Sequence, residues 1–211
     1  MGNRDINKIR LLQELSPAYV ARHPLDQLPK PYWLRAQKLS PLEELQHLLG
    51  TDTVADTLPN RLRYILKCTM GCPLTFELRR AFIGDNADDD AVVDSFVSSM
   101  RPGGLMRGYI ERAKLGLVIG DTVFVHGGIS PDTLGWLPPP FQPEANAREW
   151  IQQLNVFAET QIQKLPSSDA ADSDEVDVWS DGYAWAIEGG YTGRGADNLM
   201  QYGWPTCLLT L

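Results

Sequence analysis

The chain has 211 residues, with 19 Lys plus Arg against 27 Asp plus Glu, a formal charge of −8 with neutral histidines. That length predicts a single domain over residues 1–211, at roughly 100–200 residues per domain. The acidic balance excludes a nucleic-acid groove and an anionic-membrane surface, since both need a basic face.

No apolar run approaches the ~20 residues that span a bilayer, so no membrane insertion is expected. The polar start MGNRDINKIR does not read as a signal peptide. Three cysteines cannot build a disulfide framework, which points to a reducing compartment, the cytoplasm.

In chain order, Gly2-Asn3-Arg4-Asp5 forms a polar, glycine-led turn before Ile6, Ile9, Leu11, Leu12 and Leu15, whose spacing predicts an amphipathic helix. A proline-rich connector is expected from Pro17 to Pro31. Ser40-Pro41-Leu42-Glu43-Glu44 reads as a helix start, with Ser40 as cap, proline in the first turn and acids at the positive end. Gly50 closes it. Leu58, Leu62, Ile65, Leu66 and Thr69 share a helical face that stops at Gly71. Pro73 opens a further candidate around Phe76, Leu78 and Phe82. Asp88, Asp89 and Asp90 lead into Val92, Val93, Phe96 and Val97, a helix entered from its acidic end. Arg101-Pro102-Gly103-Gly104 breaks that helix, and a short one follows around Met106, Tyr109, Ile110 and Ala113. Residues 40–114 therefore read as a largely helical block.

The texture changes at Leu115. Leu115–Ile119 and Thr122–Val125 are β-rich runs around Gly120-Asp121, the clearest hairpin in the chain. The second run ends in His126-Gly127-Gly128-Ile129-Ser130-Pro131. A long helix is predicted through Trp150, Ile151, Leu154, Phe157, Ala158, Ile162 and Leu165. Residues 166–177, acidic and nearly without large apolar side chains, read as a mobile surface loop. A glycine- and aromatic-rich tail begins at Val178. Helices set apart from a few strands give an α+β or layered α/β class.

His23, beside Pro24, and His47, inside the helix begun at Ser40, read as structural. His126 differs because it sits where an apolar strand runs into two glycines. Rigid backbone holds it, and no Cβ crowds the approach. By itself it reads as a satisfied polar residue more often than as a ligand. Cys68 and Cys72 have no partner pair to complete a four-ligand zinc site, so packing is their better reading. Arg194, between Gly193 and Gly195, presents a planar fork that matches an oxyanion.

Together these pieces resemble the calcineurin-like metallophosphoesterases, and the serine/threonine protein phosphatases in particular. Gly2-Asn3-Arg4-Asp5 is similar to the family's G-N-H-[DE] motif. Val125-His126-Gly127-Gly128-Ile129-Ser130-Pro131 resembles its strand-end H-G-G-[LI]-S-P segment, and Trp179-Ser180-Asp181 resembles its W-S-D segment. The resemblance implies an α/β/β/α sandwich, here with residues 17–114 as a large helical insertion. It implies Asn3 and His126 as metal ligands, Arg194 as the grip on a substrate phosphate oxygen, and a pair of divalent ions (manganese, iron or zinc) that drives phosphomonoester hydrolysis.

Two departures bear on activity. Arg4 stands where the family has its proton-donating histidine, beside Asp5, and a guanidinium stays protonated. The family's G-D-x-H and G-D-x-x-[DG]-R-[GD] motifs and its late histidine ligand have no counterpart in these 211 residues. The resemblance thus implies a truncated, catalytically impaired phosphoesterase acting on a phosphorylated substrate, the alternative being a non-catalytic binding or regulatory module. An incomplete sheet would leave an exposed edge and a route to self-association.

Overall fold

A computed structural model describes residues 1–2, 5, 8, 11–28, 38–84, 86–126, 129, 134–135, 137, 144–163 and 207–210. The fold is α+β, and the chain divides into two compact units. One unit is built of Met1–Ile6, Met106–Leu165 and Asp177–Leu211; the other, of Asn7–Leu105 and Pro166–Val176.

The second unit is helical. It contains α1 (Leu11–Glu14), α2 (Pro17–Arg22), a 3₁₀ turn at Leu25–Gln27, α3 (Pro41–Leu49), α4 (Leu58–Tyr64), a π-helical turn at Ile65–Thr69, α5 (Thr75–Ile83) and α6 (Asp89–Met100). Caps written in the sequence start several of these. Ser40 Oγ accepts from the Glu43 amide at 3.2 Å while Glu43 Oε2 accepts from the Ser40 amide at 2.6 Å, a reciprocal box that satisfies two orphan donors of α3. Thr57 and Asp88 cap α4 and α6 in the same one-sided sense. The connector expected from Pro17 is instead a helix at its start. Ser16 caps it, accepting from the Tyr19 amide at 3.2 Å, and Pro17 stands at the first helical position, where its missing N–H costs nothing and its φ is already helical.

Leu25, Leu45 and Tyr64 form one interior cluster of this unit, with Leu28, Leu42, Leu48, Val54 and Cys68 packed against it. Cys68 is thus a packing residue. Arg61 is 1% exposed. Its guanidinium makes a paired contact with Asp56 at 2.6 and 2.7 Å and donates to the His23 carbonyl at 2.7 Å. Asp56 also accepts from the Leu25 amide at 3.0 Å, so one ion pair ties α4 to the segment after α2.

The first unit carries α7 (Leu105–Arg112, its first residue grouped with the helical unit), β1 (Gly116–Ile119), β2 (Thr122–Val125), α8 (Ala147–Gln163) and β3 (Cys207–Thr210). The strands form an antiparallel sheet in the order β1-β2-β3, with Leu117 opposite Phe124 and Phe124 opposite Leu208. The hairpin falls where the sequence places it. Gly120, at φ 63°, takes the first central position of the turn, where a type II′ turn asks for glycine. Strand β3 lies in the tail, where no strand was expected: four residues carry too little pattern to stand out, and pairing with β2 defines them.

Alternation along β2 turns Val123 and Val125 inward, where they meet Trp150, Ile151, Leu154 and Ala158 of α8 together with Leu115 and Leu137. Gly116 allows that approach: a Cβ there would stand 2.9 Å from the Ile151 side chain. The Asn155 side chain of α8 completes the joint, accepting from the Leu115 amide at 2.8 Å and donating to the Gly116 carbonyl at 2.9 Å. A side-chain amide thereby occupies backbone groups at the start of the edge strand. The remaining candidates of the tail, including Trp179 to Asp181 and the loop at 166–177, lie outside the described residues.

Candidate functional site

The site is built in the sheet-bearing unit from the chain's first turn, the end of β2 and helix α7. Gly2 is buried, and its amide donates to Asp5 Oδ2 at 2.8 Å while its carbonyl accepts from the Asp5 amide at 3.0 Å. This closes the first turn on itself. Asp5 Oδ2 also accepts from the Tyr109 hydroxyl of α7 at 3.3 Å. The Met1 ammonium donates to the Lys114 carbonyl just before the sheet, and the Met1 side chain packs on the apolar cluster under it.

Beside this turn stands His126, half-buried, at the residue after β2. A Cβ built on Gly2 would lie 2.6 Å from His126 Cδ2 and 2.7 Å from Nε2. Only a glycine admits the imidazole so close to this backbone. Gly2, at the chain's start, and His126, at the strand end, therefore meet in space, although most of the chain separates them in sequence. The meeting follows from two local rules. The hairpin delivers His126 at a strand end, and the bond from Met1 to Lys114 lays the first turn along the strand's entry.

The electrostatics of this corner are set by burial and by Asp5. Burial lowers the affinity of the Met1 ammonium for its proton, and the nearby Asp5 carboxylate works against that shift without cancelling it. The Tyr109 hydroxyl is held above its ordinary value, first by burial and then by the charge and hydrogen bond of Asp5.

No family model, curated protein or solved structure matches this chain.

Of the residues singled out in the sequence, the structure brings Gly2, Asp5 and His126 together. Asn3, Arg4 and Arg194 lie outside the described residues. His23 and His47 belong to the other unit. His23 is occupied there, its Nδ1 3.1 Å from the Tyr19 carbonyl and its ring stacked on Tyr19 at 4.1 Å. Among the described residues, no three His, Cys, Asp or Glu side chains gather as a metal site. These donors amount to a single imidazole with a carboxylate already engaged by an amide and a phenol, which is not the donor set that a metal pair needs. No metal-borne step is assigned to them. Among the described residues, no helix is long and apolar enough to cross a membrane.

Tyr109 is the contributor that sequence reasoning missed. Its periodicity places it among the apolar positions of a short helix, and nothing in the sequence links its hydroxyl to an aspartate 104 positions earlier.

Proposed function

We propose that this chain carries a metallophosphoesterase-like phosphate site, in which Gly2 to Asp5 and His126 converge, and that the 211 residues by themselves are catalytically impaired. The observation that carries the reading is the His126 ring against the Gly2 backbone, which joins the two motifs of the resemblance. The layered α/β/β/α sandwich belongs to the same proposal, with the three-stranded sheet and α8 as one of its halves.

In this reading His126 and Asn3 offer two donors where a two-metal centre needs several, including a carboxylate shared between the ions. Asp5 holds the first turn in place through its bonds to Gly2 and Tyr109. Arg4 stabilises negative charge on the leaving oxygen but keeps its own proton, which removes general-acid assistance worth roughly 10²–10⁴ in rate. Arg194 grips a phosphate oxygen of the phosphorylated ligand. The site works in a reducing compartment, the cytoplasm, and has no role with nucleic acid.

The test is hydrolysis of p-nitrophenyl phosphate with added manganese, alongside inorganic phosphate binding by calorimetry. Turnover by residues 1–211 is expected to equal that of His126→Ala, while phosphate binds the wild-type chain and binds Arg194→Ala more weakly. Strong His126-dependent turnover would overturn the impairment. Phosphate binding absent from the wild type, or unchanged by Arg194→Ala, would overturn the site.

A further inference from the structure

Helix α5 of the helical unit presents an apolar stripe to solvent. Leu74, Leu78 and Phe82 are 70%, 66% and 80% exposed, and they recur every fourth residue on a nine-residue helix and the residue before it. Phe76, on the opposite side of α5, is 1% exposed and anchors the helix inward. Isolated exposed leucines are ordinary, but a continuous row of large side chains marks a contact surface.

The charges beside the stripe identify what fits it. At ~100° per residue, with Leu78 as the midline, Leu74 and Phe82 fall about 40° to either side, and Glu77 and Arg79 about 100° to either side. One flank is therefore acidic and the other basic. A two-fold axis running along the helix direction brings the acidic flank of each copy against the basic flank of the other. Glu77 then faces Arg79 of a second copy on both sides of the seam. An antiparallel pairing would instead set Glu77 against Glu77 and Arg79 against Arg79. The row at every fourth residue is also the ridge that interlocks with its own kind when helices cross at about 50°.

Neither flanking charge is buried away from this use. Glu77 is 56% exposed, with Arg63 and Arg80 as its partners on the helix's inner side. The Arg79 guanidinium lies 5.4 Å from the Phe82 ring, on the margin of the stripe, while its Nε donates to Ser95 at 2.9 Å. An anionic-lipid surface fits worse, because the chain carries a net charge of −8.

We propose that α5 is a homodimer contact, a parallel two-fold pairing of the Leu74, Leu78 and Phe82 stripe with a second copy of this chain. The proposal is independent of the phosphate-site reading. Sedimentation equilibrium of residues 1–211 over about 1–200 µM at low salt tests it, a range suited to a contact smaller than a standard interface. The weight-average mass is expected to rise reversibly toward twice the monomer value. Leu78→Glu and Phe82→Glu should each weaken association at least roughly tenfold, with the far-UV spectrum, and the melting curve at concentrations where the wild type is monomeric, unchanged because both side chains are exposed. Glu77→Arg and Arg79→Glu should each weaken it, and the two together should restore it. A chain that stays monomeric throughout would overturn the proposal, as would a dimer indifferent to Leu78→Glu. Failure of the double exchange to recover what either single exchange loses would overturn the parallel pairing.

Discussion

In the sheet-bearing unit, the side chains from Leu115 to Ala158 that close beneath the strands are all apolar. In the helical unit, a guanidinium stands among the most deeply buried side chains: Arg61 is as inaccessible as Phe76 and Leu66. The first unit joins helix to sheet by apolar burial, by the Asn155 amide, and by exposed contacts of Arg148 with the Gly120 carbonyl and of Lys114 with Glu159. The second joins segments by ion pairs, with Arg61 on Asp56, Lys67 on Glu44, and Arg63 with Arg80 on Asp89. Burial of hydrocarbon is indifferent to pH, whereas an ion pair with one buried partner depends on both protonation states. Two interiors of one chain should therefore fail under different insults.

The largest expected effect is on the apolar side. Trp150→Ala removes the biggest fully buried side chain beneath the sheet and should cost about 3–5 kcal/mol. Hydrogen exchange should show the loss in β1, β2 and α8. Equal loss of protection in α3 and α4 would break the contrast.

Asp56→Asn tests the other interior. It leaves the Arg61 charge buried without its carboxylate, at an expected cost of about 3 kcal/mol in a denaturant titration. The same pair gives a pH signature. The Arg61 hydrogen bond holds the Asp56 carboxyl below the usual carboxylate range, and the Arg63 hydrogen bond does the same for Asp89. A depressed folded-state value means that the stabilisation is present above the unfolded-state value and is lost as pH falls through the folded one. Acid should thus loosen α4 and α6 first, and Asp56→Asn should flatten that dependence. A melting temperature that falls with acid equally in wild type and variant would count against the pair as its source.

Gly2→Ala is expected to cost about 1–3 kcal/mol, because the new methyl must displace the His126 ring or the first turn. The His126 ring resonances should move while those of His23 and His47 stay. If all three stay, the close approach is not held in solution. Smallest is Ser40→Ala, which removes half of a capping box and should cost about 1 kcal/mol, read as a shift in the denaturation midpoint.

Local chemistry was legible in the sequence. Ser40 was positioned to cap, Asp88 to Asp90 to open a helix from its acidic end, and Gly120-Asp121 to turn between two runs that pair, because each depends on neighbours a few residues away. The sequence also marked Gly2, Asp5 and His126 as unusual. What it could not contain is that Gly2 lies against His126, that the Tyr109 hydroxyl reaches Asp5, or that Arg61 of all the arginines is the one buried with Asp56 and the His23 carbonyl. It grouped Phe76, Leu78 and Phe82 in one helix, and of the three Phe76 is buried while Leu78 and Phe82 face solvent. Periodicity says that a face is apolar and leaves open what covers it. Only the path of the chain brings together groups that are far apart along it, and the energy of a contact depends on that distance in space.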